Sequence, residues 1–184
     1  MKAAVKKPVR IAAYVLTFAV GMWGGSALIK LIADNSEGNQ VAHAMVSKRA
    51  PAFQLPDTND VLHDSQEWSG KVRVLNFWAT WCPPCRAETP AFVALQEQYA
   101  AKGVQFVGIA IDDKDKVQDF MDTYGVNYPM LIGEQNAIEI AKAYGNRFGA
   151  LPYTVIVDRN GTIHLVQRGE LKRELAEQAI GKLL

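Results

Sequence analysis

Cysteine is nearly absent from this chain: 184 residues hold two, Cys82 and Cys85. Two cysteines exclude the multi-bridge framework that staples small secreted domains and leave a single dithiol. Closing so small a loop removes little entropy from the unfolded chain, so a purely structural bridge explains the pair poorly. Histidine is also scarce, and His43, His63 and His164 are scattered. Half of a zinc site would therefore lack two ligands. A copper-holding dithiol remains open, because soft thiolates suit Cu(I). Net charge is small, formally +1, and points to neither nucleic acid nor an acidic partner. There is no internal repeat and no low-complexity tract. Acidic residues are missing altogether before Asp34, where Lys2, Lys6, Lys7 and Arg10 crowd the N-terminus.

Beyond that basic flank (residues 1–10) the chain is almost continuously apolar from Ile11 to Ile32. About 22 residues suffice to span a hydrocarbon core of ~30 Å as a helix. Lys30 is the one charge, near the far end, where its stem can snorkel outward. The positive-inside rule keeps the basic flank cytoplasmic and exports everything after Ile32. The rival is a cleaved signal peptide, which needs a small-x-small site soon after a shorter apolar core. Ala42-His43-Ala44 has that form but lies some ten polar residues late, and no cysteine stands after the run to carry a lipid. Gly21 and Gly25 form a GxxxG, a spacing that lets membrane helices pack closely and that chance also supplies. Residues 33–50 are polar and aperiodic and read as a linker.

The folded domain is expected over 51–184. Phe53-Gln54-Leu55 and Val61-Leu62 flank a turn-like Pro56–Asp60 and predict a small hairpin. Ser65–Trp68 reads as one helical turn, ended by Gly70. Val72–Trp78 and Val104–Ile111 read as buried strands. Between them Pro84 to about Ala101 has helical spacing, with Phe92, Leu95 and Tyr99 apolar, Gly103 past its end, and Pro90 inside it as a source of a kink. Asp115–Tyr124 and Asn136–Tyr144 read as helices closed by glycines, with a short strand at Tyr128–Ile132. Tyr153–Asp158 and Thr162–Gln167 form a hairpin about Arg159-Asn160-Gly161, and Glu170–Leu184 is a final amphipathic helix. This order predicts an α/β domain: a mixed central sheet with helices on both faces.

The two cysteines fall where the first central strand ends and a helix begins. The positive end of the helix dipole and its unpaired N–H groups favour a thiolate there. Cys82 at the entrance is expected to be exposed and to attack substrate disulfides, and Cys85, one turn in, to resolve the mixed disulfide. Pro83 and Pro84 have no N–H to donate to the Cys82 sulfur. Fewer donors mean a less stabilised reduced form and a lower potential, which points toward a reductant. Glu88 lies one turn past Cys85. Buried, it would have a raised pKa and could pass protons to the thiols; solvated, it would be an ordinary helix carboxylate.

Asn76 through Pro90, Gly149-Ala150-Leu151-Pro152-Tyr153-Thr154 and Asp158-Arg159-Asn160-Gly161 together resemble the thioredoxin fold. The closer likeness is to the membrane-anchored, periplasmic thiol:disulfide reductases of the TlpA/ResA type, which include the cytochrome c maturation thioredoxins. It covers roughly Pro51 to the C-terminus. The resemblance implies a cis-proline at Pro152 facing the disulfide. It sets the Leu151 backbone beside Cys82 to pair with an extended substrate, and it makes Glu88 the active-site glutamate. Trp81, Pro83, Leu151 and Tyr153 would then line the substrate site, with Trp78 and Trp81 either packed around it or serving the core alone. Ordinary thioredoxins have a buried aspartate where Asn76 stands, so the proton relay passes to Glu88. Asp112–Tyr144 looks like the family's central helix-strand insertion. Tyr153 departs from the acidic residue common after the cis-proline in the cytochrome c branch, so the substrate is unassigned among apocytochrome c, a copper-centre assembly protein and a wider set of exported proteins. The implied partners are a disulfide-containing protein and a membrane thiol donor of the DsbD or CcdA kind. No cofactor and no metal is implied. Rivals are an oxidase or isomerase on the same fold and a copper-handling dithiol protein.

Overall fold

The computed structural model describes residues 37–184. The expected membrane span, its basic flank and the GxxxG pair lie outside the described residues. Among the described residues no helix is long and apolar enough to cross a membrane.

Five strands form the central sheet: β3 (Val72–Trp78), β4 (Val104–Ala110), β5 (Met130–Ile132), β6 (Tyr153–Val157) and β7 (Ile163–Arg168). Their order across it is β5-β4-β3-β6-β7. β3 pairs parallel to β4 and antiparallel to β6, so the sheet is mixed as expected. Every residue of β3 and β6 is buried, as a central strand covered on both faces requires.

Strand alternation sorts the core into two layers. Val72, Val74 and Trp78 of β3, Phe106 and Ala110 of β4 and Ile156 of β6 share one layer. The helices over it are α1 (Pro83–Tyr99), α2 (Lys114–Tyr124) and α4 (Arg173–Gly181), which bury Phe92 and Leu95, Val117 and Phe120, and Ala176 and Ile180. The opposite layer holds Leu75 and Phe77, Val107 and Ile109, and Tyr153, Val155 and Val157. Over it lie Ala137 and Ala141 of α3 (Glu134–Ala143) together with Phe53, Leu55 and Trp68. The expected hairpin is present as β1 (Gln54–Pro56) against β2 (Leu62–Asp64), and a bridge from Asp57 to Leu131 lays its turn along β5. Asp64 and Glu67 form a capping box on the 3-10 turn Ser65–Trp68.

Residues 38–50 differ from the linker expected over 33–50. Residues 37–43 are helical, and Ala42 is buried in the second layer with Met45 and Ala50 packed against it. The Ser47 and Ala50 N–H groups donate to the Ile163 and Gly161 carbonyls, and the Ile163 N–H donates to that of Lys48. The domain thus begins before Pro51, and this stretch pairs with the start of β7.

Candidate active site

α1 starts at the C-terminal end of β3 because Cys82 caps it. Its backbone is extended, and its sulfur accepts the Cys85 N–H at 3.3 Å, the bond a helix N-cap makes to the third residue of the first turn. Pro83 and Pro84 fill the first two helical positions, where a missing N–H costs nothing. Cys85 is therefore the donor that the prolines leave to the Cys82 sulfur. The two cysteines form a disulfide, with Cα atoms 5.3 Å apart.

Both sulfur-bearing residues are buried, Cys82 at 3% exposure and Cys85 at 1%. That corrects the exposed Cys82 expected from its place at the helix entrance. In the disulfide its side chain turns inward to meet Cys85 and joins the apolar layer under α1. Its neighbours take the surface instead: Trp81 is 66% exposed and Pro83 is exposed. Leu151, partly buried, packs against both core layers. The Leu151–Pro152 peptide is cis, as the resemblance implied, and the Pro152 carbonyl accepts the Gly169 N–H at 2.8 Å.

Glu88 is buried, at 2% exposure. One carboxylate oxygen accepts Asn76 Nδ2 at 2.8 Å and the other accepts the Leu171 N–H at 2.8 Å. Burial disfavours the charged form and outweighs these two donors, which favour it. The carboxyl is pushed up to about 7, with the nearby Glu170 charge adding to the rise. Asn76 also donates to Thr154 Oγ1 at 2.9 Å. One amide thus ties α1 to β3 and β6. Tyr128 also feels the Glu88 carboxylate; its phenol is pushed well up, by burial first and Glu88 second.

Two expected site aromatics are core residues, on opposite layers. Trp78 is buried against Phe120, ring centroids 4.4 Å apart, in the layer that also holds Cys82 and Cys85. Tyr153 is fully buried on the opposite layer from the cysteines, and its hydroxyl donates to the Tyr144 carbonyl at 2.9 Å. Its side chain therefore faces away from the cysteines, because it shares strand parity with Val155 and Val157. Thr154, the next residue, points to the Glu88 side.

One residue escaped sequence reasoning. Asp112 is buried, and its carboxylate accepts both the backbone N–H and the hydroxyl of Thr80. It pins the loop that delivers Trp81 and Cys82 to the helix. These bonds hold its carboxyl below the usual range against the opposing effect of burial. The signal lay in the register: Trp78 pairs with Ala110, so two residues farther along each strand brings Thr80 beside Asp112.

Comparison with known proteins agrees with this geometry. The Redoxin family model matches residues 45–184. The thiol-disulfide oxidoreductase ResA of Geobacillus thermodenitrificans is 33% identical over 134 residues, covering 72% of this chain and 75% of that protein. A thiol:disulfide interchange protein of the thioredoxin family from Chlorobium tepidum superposes with a TM-score of 0.67 at 29% identity, over 73% of this chain and 94% of its own. A secreted disulfide oxidoreductase of Mycobacterium tuberculosis, homologous to Escherichia coli DsbE, gives a TM-score of 0.62 at 25% identity, over 71% and 96%. From the cysteine-capped helix to the cis-proline loop, this chain belongs to the Redoxin family as a ResA-type thiol-disulfide oxidoreductase of thioredoxin-like fold.

Proposed function

We propose that the protein is a membrane-tethered reductant of protein disulfides on the extracytoplasmic side. The observation that carries the chemistry is Glu88, buried one helical turn from Cys85 and poised near neutrality. In the reduced enzyme the Cys82 thiolate attacks a substrate disulfide, forming a mixed disulfide and releasing one substrate thiolate. Cys85 gives its proton to the Glu88 carboxylate and attacks the Cys82 sulfur. The Cys82–Cys85 disulfide re-forms and the second substrate thiolate leaves. Two electrons pass to the substrate, and Glu88 is a source and sink for a proton at neutral pH. The Leu151–Pro152 loop would pair with the extended substrate, with exposed Trp81 and Pro83 as flanking contacts. A membrane dithiol of the DsbD or CcdA kind would return the two electrons, its own disulfide forming as the Cys82–Cys85 bond breaks, with the proton held on Glu88 going back to the Cys85 sulfur and the donor's own protons passing to solvent.

Two features support the reducing direction and the location. In the disulfide form only the Cys85 N–H serves the Cys82 sulfur from the first turn, which supports a weakly stabilised reduced form and hence the reducing direction. The apolar run Ile11–Ile32 behind a basic flank supports the tether, and one structural relative is a secreted oxidoreductase.

The test is the Cys85→Ser variant. It should accumulate mixed disulfides through Cys82, identifiable by mass spectrometry as exported disulfide-containing proteins and a membrane thiol carrier. A variant that traps no protein and instead only loses bound copper would overturn the reading. A dithiol potential above the glutathione couple would reverse the proposed direction.

A further inference from the structure

The charges on this domain are unevenly paired. Lys114, Lys116, Lys142, Lys172 and Arg173 each sit within salt-bridge distance of a carboxylate. Lys48, Arg49, Lys71, Arg73, Lys102, Arg159, Arg86, Arg147 and Lys182 do not, among the described residues. The first six of these gather at one end of the sheet, opposite the disulfide, while Arg86 lies beside Cys85. Lys71 precedes β3, and the Val72 N–H next to it donates to the Gly103 carbonyl beside Lys102. The Arg159 guanidinium donates to the Lys102 carbonyl at 3.1 Å. Arg49 bridges to Thr162. A Cβ built on Gly161 would lie 3.5 Å from one Arg73 nitrogen and 3.6 Å from one of Arg49, so these two guanidiniums flank the same turn.

Two of the carboxylates at this end are already engaged, while Glu97 in the last turn of α1 is exposed. Asp158 accepts the Asn160 and Thr162 N–H groups and faces His164. Glu67 is held by His63 and the Asp64 N–H. Arg73 is itself buried, and its Nε has no partner. Arg49 opposes the charge on Arg73 and Asp158 favours it; six cations against the few carboxylates at this end set up a positive field that an anionic surface relieves.

We propose that this pole docks on an anionic phospholipid surface. The inference rests on the membrane tether proposed above: Lys48 and Arg49 lie a short way along the chain from the apolar run, so a tether would hold this pole at high effective concentration near lipid headgroups. Each basic residue near an anionic leaflet strengthens binding about five-fold at low salt, and the gain fades within a Debye length of ~10 Å at 0.1 M. β3 runs from this pole toward the disulfide over ~20 Å. A docked domain therefore turns Cys82 away from the bilayer, toward soluble substrates, and must undock to meet a donor in the membrane.

The full chain is reconstituted into nanodiscs of phosphatidylglycerol or of phosphatidylcholine and labelled with a membrane-impermeant amine reagent. Labelling of each lysine is read by mass spectrometry. Lys48, Lys71 and Lys102 should label at least three-fold more slowly in phosphatidylglycerol discs at low salt, with the difference lost at 0.5 M salt. Lys114, Lys116 and Lys172 should be indifferent to lipid. A combined Lys71→Glu, Lys102→Glu, Arg159→Glu variant should lose the protection of Lys48. Equal labelling in both discs, with the chain embedded, overturns docking and leaves the tether standing. A chain that does not co-elute with either disc overturns the tether and the docking that rests on it. Equal protection in phosphatidylcholine discs by added polyphosphate assigns the pole to a soluble polyanion instead and overturns the lipid assignment.

Discussion

Asn76 and Arg73 are both buried in β3, yet the two ends of the strand treat their polar groups differently. They stand three positions apart and so face opposite layers. Asn76 faces the cysteines and spends its amide on two named acceptors, Glu88 and Thr154. Arg73 faces the other layer, where Nη1 donates to the Ser65 carbonyl at 3.2 Å and Nε has no partner. Burial lowers the Arg73 pKa, but from so high a starting value that it remains a permanent cation. The site end holds a group that can be neutral or charged near pH 7, and its partners are fixed around both forms. The far end holds a charge that cannot be switched off. A proton relay needs the first arrangement; an electrostatic contact needs only the second.

Glu88→Gln should break the site end most visibly. The carboxyl has an ordinary value of 4.5 and is pushed up to about 7 in the folded protein. Between those values the folded state binds more protons than the unfolded one, so stability falls as pH rises. The loss should be absent below pH ~4.5, reach about 3 kcal/mol in total by pH ~7, and then level off. The glutamine variant should lack this slope. Its amide can accept only one of the two donors now facing Glu88, a pH-independent cost of about 1–3 kcal/mol, so the slope is the readout and the level is not. In single-turnover reduction of a peptide disulfide at pH 8, the variant should resolve the mixed disulfide ~100-fold more slowly. Urea unfolding curves from pH 4 to 9 that run parallel for the two proteins would contradict the account of Glu88.

Substitution at the other end separates charge from volume. Arg73→Ala should cost roughly 2–3 kcal/mol, since it opens a cavity beneath the sheet and strips the Ser65 carbonyl of its partner. Arg73→Met keeps most of the volume and removes a buried, under-paired cation. It should cost about 1 kcal/mol or less, or stabilise. Denaturant midpoints for the two variants check this directly. Equal destabilisation by both would mean that the charge itself holds the fold together.

These contrasts also mark what could be read from the residues alone. Val72–Trp78 and Val104–Ala110 stood out because strands covered on both faces carry nearly unbroken apolar runs. The cysteine pair and the two prolines were legible because helix-start chemistry is local, whereas spacing left Glu88 open between a buried and a solvated carboxylate and the resemblance assigned it. Residues 38–50 were not. They join the domain through the Ser47, Ala50 and Ile163 N–H groups, and backbone pairing leaves no periodic trace in side chains. The inward turn of Cys82 was missed because capping position does not determine burial. Asp112 needed the register between β3 and β4, which sequence spacing alone does not supply. Pro152 was placed by resemblance, since its local sequence does not specify the isomer.

Tyr153 shows the limit of resemblance, and its hydroxyl gives the smallest effect. A residue next to the substrate-facing proline was expected to face substrate. The alternation of β6 instead puts its ring with Val155 and Val157 and near Phe77, ring centroids 6.2 Å apart. Its hydroxyl is spent on the Tyr144 carbonyl, fixing the end of α3 against β6. Tyr153→Phe keeps the ring and deletes that bond. It should cost about 1 kcal/mol of stability, seen as a lower urea midpoint with an unchanged slope. kcat/KM for a disulfide peptide should stay within about two-fold, because nothing on the cysteine side of the sheet loses a partner. A ten-fold drop in kcat/KM with an unchanged midpoint would restore the side chain to the substrate site. The parity of β6 would then have to differ when substrate is bound.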